Sequence, residues 1–413
     1  MAKKKQAEKR LLVGIDIGTS KVVAVVGEVT PAGNIHVIGV GSQPSRGLKR
    51  GVVINIESTV ESIKHALEEA ELMAGCQIYS AYTGIAGSHI RSLNSHGIVA
   101  IRDQEVTQQD IDRVIDAARA VAIPADQKIL HILPQEFIID NQNCIREPIG
   151  MSGVRLEAKV HIVSGSVSSA QNIIKCVQRC GLHVRDIILE QLASSYAVLS
   201  EDEKELGVCL IDIGGGTTDI AIFADGAIKH TGVIPIAGDQ VTNDIAIALR
   251  TPTQNAEEIK IKYACAITDF ADHDEMFEVS PVGNRPGRKL SRFKLAEVCE
   301  PRYEELFQLI ASEIRRSGFE DAINAGIVLT GGASMMPGIL DLAERVFQMP
   351  VRIGMPERIT GLVDVVKNPK FATGIGLLLY GYHQEFHNNK DVVLNKAKNS
   401  MWKTMRNWFK SNF

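Results

Sequence analysis

Apolar and polar positions in this chain come in short bursts, and one burst occurs twice. Leu11 to Gly27 reads Leu-Leu-Val-Gly-Ile-Asp-Ile-Gly-Thr-Ser-Lys-Val-Val-Ala-Val-Val-Gly: an apolar run, a glycine turn after Asp16, and a second apolar run. Val208 to Phe223 repeats that grammar, with Asp212 where Asp16 stands and three glycines in the turn. Both predict strand, tight turn, strand. Ile35 to Val40 continues as a strand, and a Gly/Pro/basic loop spans Ser42 to Gly51. Ser58 to Ala74 keeps Val60, Ile63, Leu67 and Ala70 on one helical face, and Ser58 with Glu61 predicts a capping box at its start. Tyr79 to Ile85 is a strand again. Hairpin, helix and parallel return make an α/β layout.

From about Gly87 the pattern shortens. Alternating runs at His89 to Leu93 and Ile98 to Ile101 precede a helix from Thr107 to Val121, which Pro124 ends. Strands follow at Lys128 to Leu133, Glu136 to Asn141 and Arg155 to Val163, so residues 87–163 are expected to form an inserted α+β subdomain. Ser168 to Cys180 is an amphipathic helix and Val184 to Leu189 a strand, which places Glu190 at a strand-to-helix junction before the helix Leu192 to Leu199.

The second hairpin continues through Ile228 to Ile236, then Ala237-Gly238-Asp239 and the helix Gln240 to Leu249. A more polar stretch holds the helix Asn255 to Ala264, the loop Pro281 to Lys289, and a long helix that Pro301 is expected to start or kink. Ala325 to Gly338 is a third strand, Gly-Gly turn and helix; Phe371 to Tyr382, with Gly374 and Gly376, suits close helix packing.

Residues 383–400 read as a polar linker before Met401 to Phe413, which holds both tryptophans. On a helix Met401, Trp402, Met405, Trp408 and Phe409 share one side, while Lys403, Arg406, Asn407 and Lys410 take the other. Docking on the chain's own body is the commoner fate of such a stripe. The linker, the cations and the absence of any acid after Asp391 favour a helix lying in a membrane interface. Each buried apolar side chain contributes about 1.5–3 kcal/mol at best, and each cation near an anionic leaflet about 1 kcal/mol. That sum predicts reversible binding.

Composition narrows the class. The 413 residues are 45% hydrophobic and 23% charged, as in a soluble protein of two or more domains. A net charge of −4 leaves no overall nucleic-acid footprint. The seven cysteines include no Cys-x-x-Cys pair, which fits reduced thiols in a cytoplasmic protein. The basic N-terminus is followed only by Leu11 to Ile15 before Asp16 intervenes, too short for a signal sequence, and no apolar stretch is long enough to span a bilayer. His89, His96, His131 and His161 lack metal-ligand spacing and are expected to be core or surface residues.

The two hairpins carry the candidate chemistry. Glycine turns let successive N–H groups converge on a phosphate chain, although a hairpin can use Gly-Gly for structure alone. Asp16 and Asp212, each at a strand end, can hold Mg²⁺ directly or through water. Two copies argue for two similar domains facing one another across a nucleotide. Glu190 can order a water in the crevice between them, or simply favour a helix start. Arg285, Arg288, Lys289, Arg292 and Arg302 form a basic cluster, a solvated face or a receptor for an acidic peptide.

These motifs resemble the actin, Hsp70 and sugar-kinase superfamily, and within it the FtsA family of bacterial cell-division proteins, over essentially the whole chain. Ile15-Asp16-Ile-Gly-Thr-Ser-Lys21 is similar to the family's first phosphate motif, Ile211 to Thr218 to the second, and Thr330-Gly-Gly-Ala-Ser334 to the adenosine motif. The resemblance implies an actin-like, ribonuclease H-like duplicated two-domain fold with an inserted α+β subdomain and a C-terminal amphipathic helix. Its divisions would be 11–86, 164–205 and 361–383 for the first domain, 87–163 for the insert, 206–250 and 318–360 for the second domain, 251–317 for its subdomain, 384–400 for a linker and 401–413 for a membrane helix. It implies ATP and Mg²⁺ as cofactors. Gly18, Thr19, Ser20, Lys21, Gly214, Gly215, Gly216, Thr217, Thr218 and Gly238 would serve the phosphates. Glu258, Lys262, Gly331, Gly332 and Ser334 would serve the nucleoside, and Asp16 and Asp212 the metal through water. Glu190 would stand where the family positions the attacking water, with weak or no ATP turnover.

The resemblance also implies partners. The C-terminal tail of the tubulin homologue FtsZ would meet Arg288, Arg302 and Glu304; the chain would join copies of itself, later division proteins through the insert, and an anionic membrane surface, but no nucleic acid. The place implied is the cytoplasmic face of the inner membrane at the division site. A cytosolic pilus-type assembly ATPase and a small-molecule kinase of the same superfamily are the rival readings. Walker A, protein-kinase and Gly-x-Ser-x-Gly signatures are absent.

Overall fold

The computed structural model describes residues 10–31, 33–280 and 286–387. Of the linker expected from the sequence, His383–His387 instead continues the preceding helix as a π-helical turn, while residues 388–400 and the terminal tryptophan-bearing segment lie outside the described residues.

Both hairpins form, and each seeds a sheet. The first sheet runs His183–Leu189, Ser80–Ile85, Leu11–Ile17, Lys21–Val29, Ile35–Pro44 and Ile359–Gly361. Its three central strands make an antiparallel meander, and the returning strands lie parallel to their neighbours. The second sheet runs Ala227–Ile234, Thr218–Ala224, Val208–Ile213, Ile327–Thr330 and Val351–Ile353, again a meander with parallel returns beside its first strand. The strands Leu11–Ile17 and Val208–Ile213 are almost wholly buried, which explains their near-continuous apolar sequence. One apolar core surrounds the first sheet and takes in one face of the second (Val208, Leu210, Ala221, Phe223 and Val328), and another core lies against the opposite face of the second sheet (Cys209, Ile211, Ile220, Ile222 and Leu329). The fold class is therefore the duplicated α/β arrangement anticipated above.

Helix boundaries differ from the sequence reading at two caps. The helix Ile56–Ala74 begins ahead of Ser58, because the Asn55 side chain accepts from the Ser58 N–H at 3.0 Å and so acts as N-cap. The helix Arg292–Ser317 begins at its cap Ser291 and holds Pro301 in its interior, so that proline does not start it. The small-residue helix Ala372–Tyr382 crosses the helix Glu190–Val198 closely: a Cβ at Gly376 would sit 1.9 Å from the Ala193 carbonyl oxygen.

The insert is a four-stranded antiparallel sheet in the order Arg91–Ala100, Arg155–Ser166, Gln127–Ile139, Gln142–Ile145. The helix Gln108–Arg119 covers it, with Val114 and Ala118 in a separate small core with Leu156, Ala158 and Phe137. The two strands expected across residues 128–141 are one strand, bulged at Gln135 beside Pro134, where the ladder slips between Lys159 and Val160. The insert leans on the second domain through a polar seam. His161 contacts Asn94 Oδ1 at 2.7 Å and Thr231 Oγ1 at 2.9 Å, while Ser92, Asn94 and Gln135 donate to the Thr231, Lys229 and Ile228 carbonyls.

Among the described residues no helix is long and apolar enough to cross a membrane.

Candidate functional site: an acidic cleft between two glycine turns

The two hairpin turns are built alike and meet. Gly18 N–H donates to the Lys21 carbonyl and Gly214 N–H to the Thr217 carbonyl, each at 3.0 Å. A Cβ on Gly215 would lie 1.8 Å from Ser20 Oγ, and one on Gly216 would lie 2.6 Å from Thr19 Oγ1, so any side chain there would have to displace the facing turn's hydroxyls. Between the domains lies a cavity of about 500 Å³, a size suited to a cofactor-sized ligand.

Of the residues singled out from sequence, the cavity is lined by Asp16, Gly18, Thr19, Ser20, Lys21, Glu190, Asp212, Gly214, Gly215, Gly216, Thr217, Gly238, Gly331 and Gly332. Thr218 and Ser334 stand behind the wall: both are buried, and their hydroxyls donate to the Ile236 and Gly331 carbonyls at 2.8 and 2.7 Å. Glu258 and Lys262 are displaced from the expected place. The helix Thr253–Tyr263 leaves both exposed and turns Glu257, Lys260 and Ile261 to the cavity. With about 100° between successive residues, the face that buries Ala256 and Ile259 fixes which neighbours look inward.

Four acids crowd the cleft, and burial raises the pKa of each. Burial pushes Glu190 well above the carboxylate range, helped by the charges of Asp16, Asp219 and Asp212. Burial and the Asp212 charge push Asp219 up to about 8. Burial raises Asp16 against the opposing pull of Lys21, whose Nζ lies 3.6 Å away. Asp212 is raised by burial while Ser194 Oγ donates to it at 2.6 Å and Thr373 Oγ1 at 3.3 Å. Asp219 Oδ2 accepts from Thr217 Oγ1 at 3.0 Å, but Oδ1 is buried without a partner among the described residues. Such a site favours an arriving cation. Among the described residues, however, no three metal-ligating side chains cluster tightly enough to hold an ion by themselves. A divalent ion here would take most of its oxygens from water and from a ligand, which suits Mg²⁺ on phosphate.

Several site residues carry no obvious sequence signal. Asp219 is legible only as an acid interrupting an apolar strand. Ser194 and Thr373 come from two distant helices, brought together by the close crossing at Gly376. His131 belongs to the insert, yet its Nε2 accepts the Leu189 N–H at 3.0 Å, immediately before Glu190. That bond requires a neutral ring, and burial holds His131 down at about 4.

The basic cluster expected from sequence is partly neutralised. Arg302 is clamped by Asp244 at 2.6 and 3.1 Å and pairs with Glu305, and Arg292 pairs with Glu275 at 2.6 Å. Arg288 is exposed and donates to the Leu249 carbonyl at 2.9 Å, and Glu304 is exposed. Arg285 lies outside the described residues.

Residues 209–376 match the family model for cell division protein FtsA, and residues 87–164 match the SHS2 domain inserted in FTSA. The cell division protein FtsA of Pseudomonas aeruginosa is 63% identical, covering 98% of this chain and 98% of its own. That of Escherichia coli K12 is 47% identical over 99% of this chain and 100% of its own. Among solved structures, the PilM-PilN type IV pilus biogenesis complex aligns with a TM-score of 0.66 at 16% identity, over 90% of this chain and 98% of that one. MreB 5 of Spiroplasma citri bound to AMPPNP aligns with a TM-score of 0.55 at 17% identity, over 94% of this chain and all of its own. These two likenesses show an actin-like fold.

Proposed function

Because the chain belongs to the FtsA family of cell division proteins, we propose that it is an ATP-binding adaptor that ties FtsZ filaments to the cytoplasmic membrane. The observation that carries the nucleotide part is the meeting of two like glycine turns across an acid-lined cavity. Gly214 to Thr217 and Gly18 to Lys21 would receive the phosphates through backbone N–H groups, with Lys21 supplying charge. Mg²⁺, when bound, would neutralise the phosphates; Asp16 and Asp212 would hold its waters. Ser194 and Thr373 keep Asp212 in place for that role. Gly238, Glu257 and Lys260 would border the nucleoside together with the turn at Gly331 and Gly332.

Glu190 is the group placed to order a water, and burial with the neighbouring acids raises its pKa. Nucleotide occupancy would then set domain closure and contacts between copies of the chain, and assembly would multiply a weak anchor by avidity. The anchor would be Met401 to Phe413, FtsZ's tail would meet the face bearing Arg288, Arg302 and Glu304, and the insert would offer a surface to later division proteins. Relatives at 47% and 63% identity are division proteins, which favours this reading over a pilus-type ATPase or a small-molecule kinase.

Sedimentation with anionic liposomes, with and without Mg-ATP, tests it against a chain truncated after Asn399. The full-length protein should pellet in a nucleotide-dependent amount and the truncated one should stay in solution. Equal behaviour of both chains would remove the anchor from the account.

A further inference from the structure

Tyr303 is a buried polar group that the cleft chemistry above does not use. It sits on the helix Arg292–Ser317, its side chain 1% exposed among the apolar residues of the second core, and it lines the interdomain cavity. Its hydroxyl is buried and finds no hydrogen-bond partner among the described residues. Phenylalanine would fill the same space without an orphaned hydroxyl, so the phenol is unfavourable to the empty fold. A partner that arrives with a ligand removes that cost.

The surroundings say which part of a ligand this would be. The nearby carboxylate that bears on the phenol is Glu257, not the four acids at the hairpin turns. Ile261, Met335, Met336 and Pro337 supply the apolar part of the cavity lining. Apolar walls with a few convergent polar groups suit a heterocyclic base, whose faces are apolar and whose edge carries donors and acceptors. The glycine turns and acids suit phosphate and metal instead. A phenol can both donate and accept, so it can pair with either kind of edge group.

We propose that Tyr303 is a specificity-determining residue that reads the base of the bound nucleotide, its hydroxyl pairing with the base edge. This rests on the nucleotide reading of the cleft. With the base in place the buried hydroxyl is satisfied, and discrimination comes from leaving it unpaired when the base is missing.

The test uses the full-length protein and its Tyr303→Phe variant, with equilibrium binding of Mg-ATP and of ribose 5-triphosphate, which lacks the base, and with the melting temperature of each apo protein. Wild type should bind ATP at least roughly tenfold more tightly than ribose 5-triphosphate. Y303F should lose roughly three- to tenfold in ATP affinity, the range of one hydrogen bond, keep its affinity for ribose 5-triphosphate, and melt no lower than wild type. Equal ATP affinity in the two proteins, or an equal loss for both ligands, overturns the assignment while leaving nucleotide binding intact. Equal wild-type affinity for the two ligands overturns it without recourse to the variant. A wild-type protein that binds neither ligand overturns the nucleotide reading itself, and this assignment with it.

Discussion

Asp219 shows how a single residue can set the pH response of the empty protein. Its carboxyl titrates near 3.8 in an unfolded chain and at about 8 in the fold, so the folded state holds a proton that the unfolded state releases. Stability is then greatest below the unfolded value and is lost as pH rises through the folded one. Glu190, Asp16 and Asp212 shift in the same direction. His131 and His161 act the opposite way. Their folded values of about 4 and about 3, against an ordinary 6.5, mean stability that is lost as pH falls below 6.5. Between about pH 7 and 8 the histidines are largely neutral in both states, and the acids dominate. The apo melting temperature should therefore fall across that interval, and Asp219→Asn should flatten the fall. A wild-type profile that rises across the same interval would contradict the assignment of the proton to Asp219.

At the scale of elements, the crossing of the helices Glu190–Val198 and Ala372–Tyr382 positions the site. Gly376 allows the approach, and the approach brings Ser194 and Thr373 to one oxygen of Asp212. Gly376→Ala places a methyl against the Ala193 carbonyl and should cost about 1–3 kcal/mol of stability by overpacking. It should also weaken Mg-ATP binding, since both donors to Asp212 move with their helices. Ser194→Ala leaves the crossing intact and should weaken Mg-ATP binding with a stability loss of about 1.5–3 kcal/mol, the range for a hydrogen bond to a charged group. Denaturant unfolding beside nucleotide titration separates the two variants. If G376A alters stability alone, the crossing is packing and not a positioning device.

At the scale of the molecule, two cores meet at the cleft and the insert spans from one to the other. It reaches the first domain through His131 and the second through the seam around His161 and Gln135. The two glycine turns touch across the cleft, Gly215 against Ser20 and Gly216 against Thr19. Gly215→Val would force Ser20 and Asp239 away from the turn, since even a Cβ lies 1.8 and 3.1 Å from their oxygens. Mg-ATP affinity should drop by roughly tenfold or more, measured by the shift in melting temperature with nucleotide. An unchanged shift would mean that closure does not pass through this contact.

The duplicated hairpins, the inserted α+β unit and the α/β class are all legible in the chain because they rest on local physics. Alternation, glycine turns and buried apolar runs act over a few neighbours, and the acids at strand ends stand out against them. The same local signals misplace what depends on packing. Ser58 reads as a cap, yet Asn55 is nearer the start of the turn. The family resemblance puts Glu258 and Lys262 beside the nucleoside, but helix phase is set by which face the second core buries, and that face turns Glu257 and Lys260 to the cleft. Arg292 and Arg302 read as free charge, and partners distant in sequence neutralise them. Nothing near Tyr303, Ser194 or His131 in the chain marks them as site residues. Their roles come from contacts between segments far apart in sequence, and burial, phase and the partner of each charge are decided only when those segments pack.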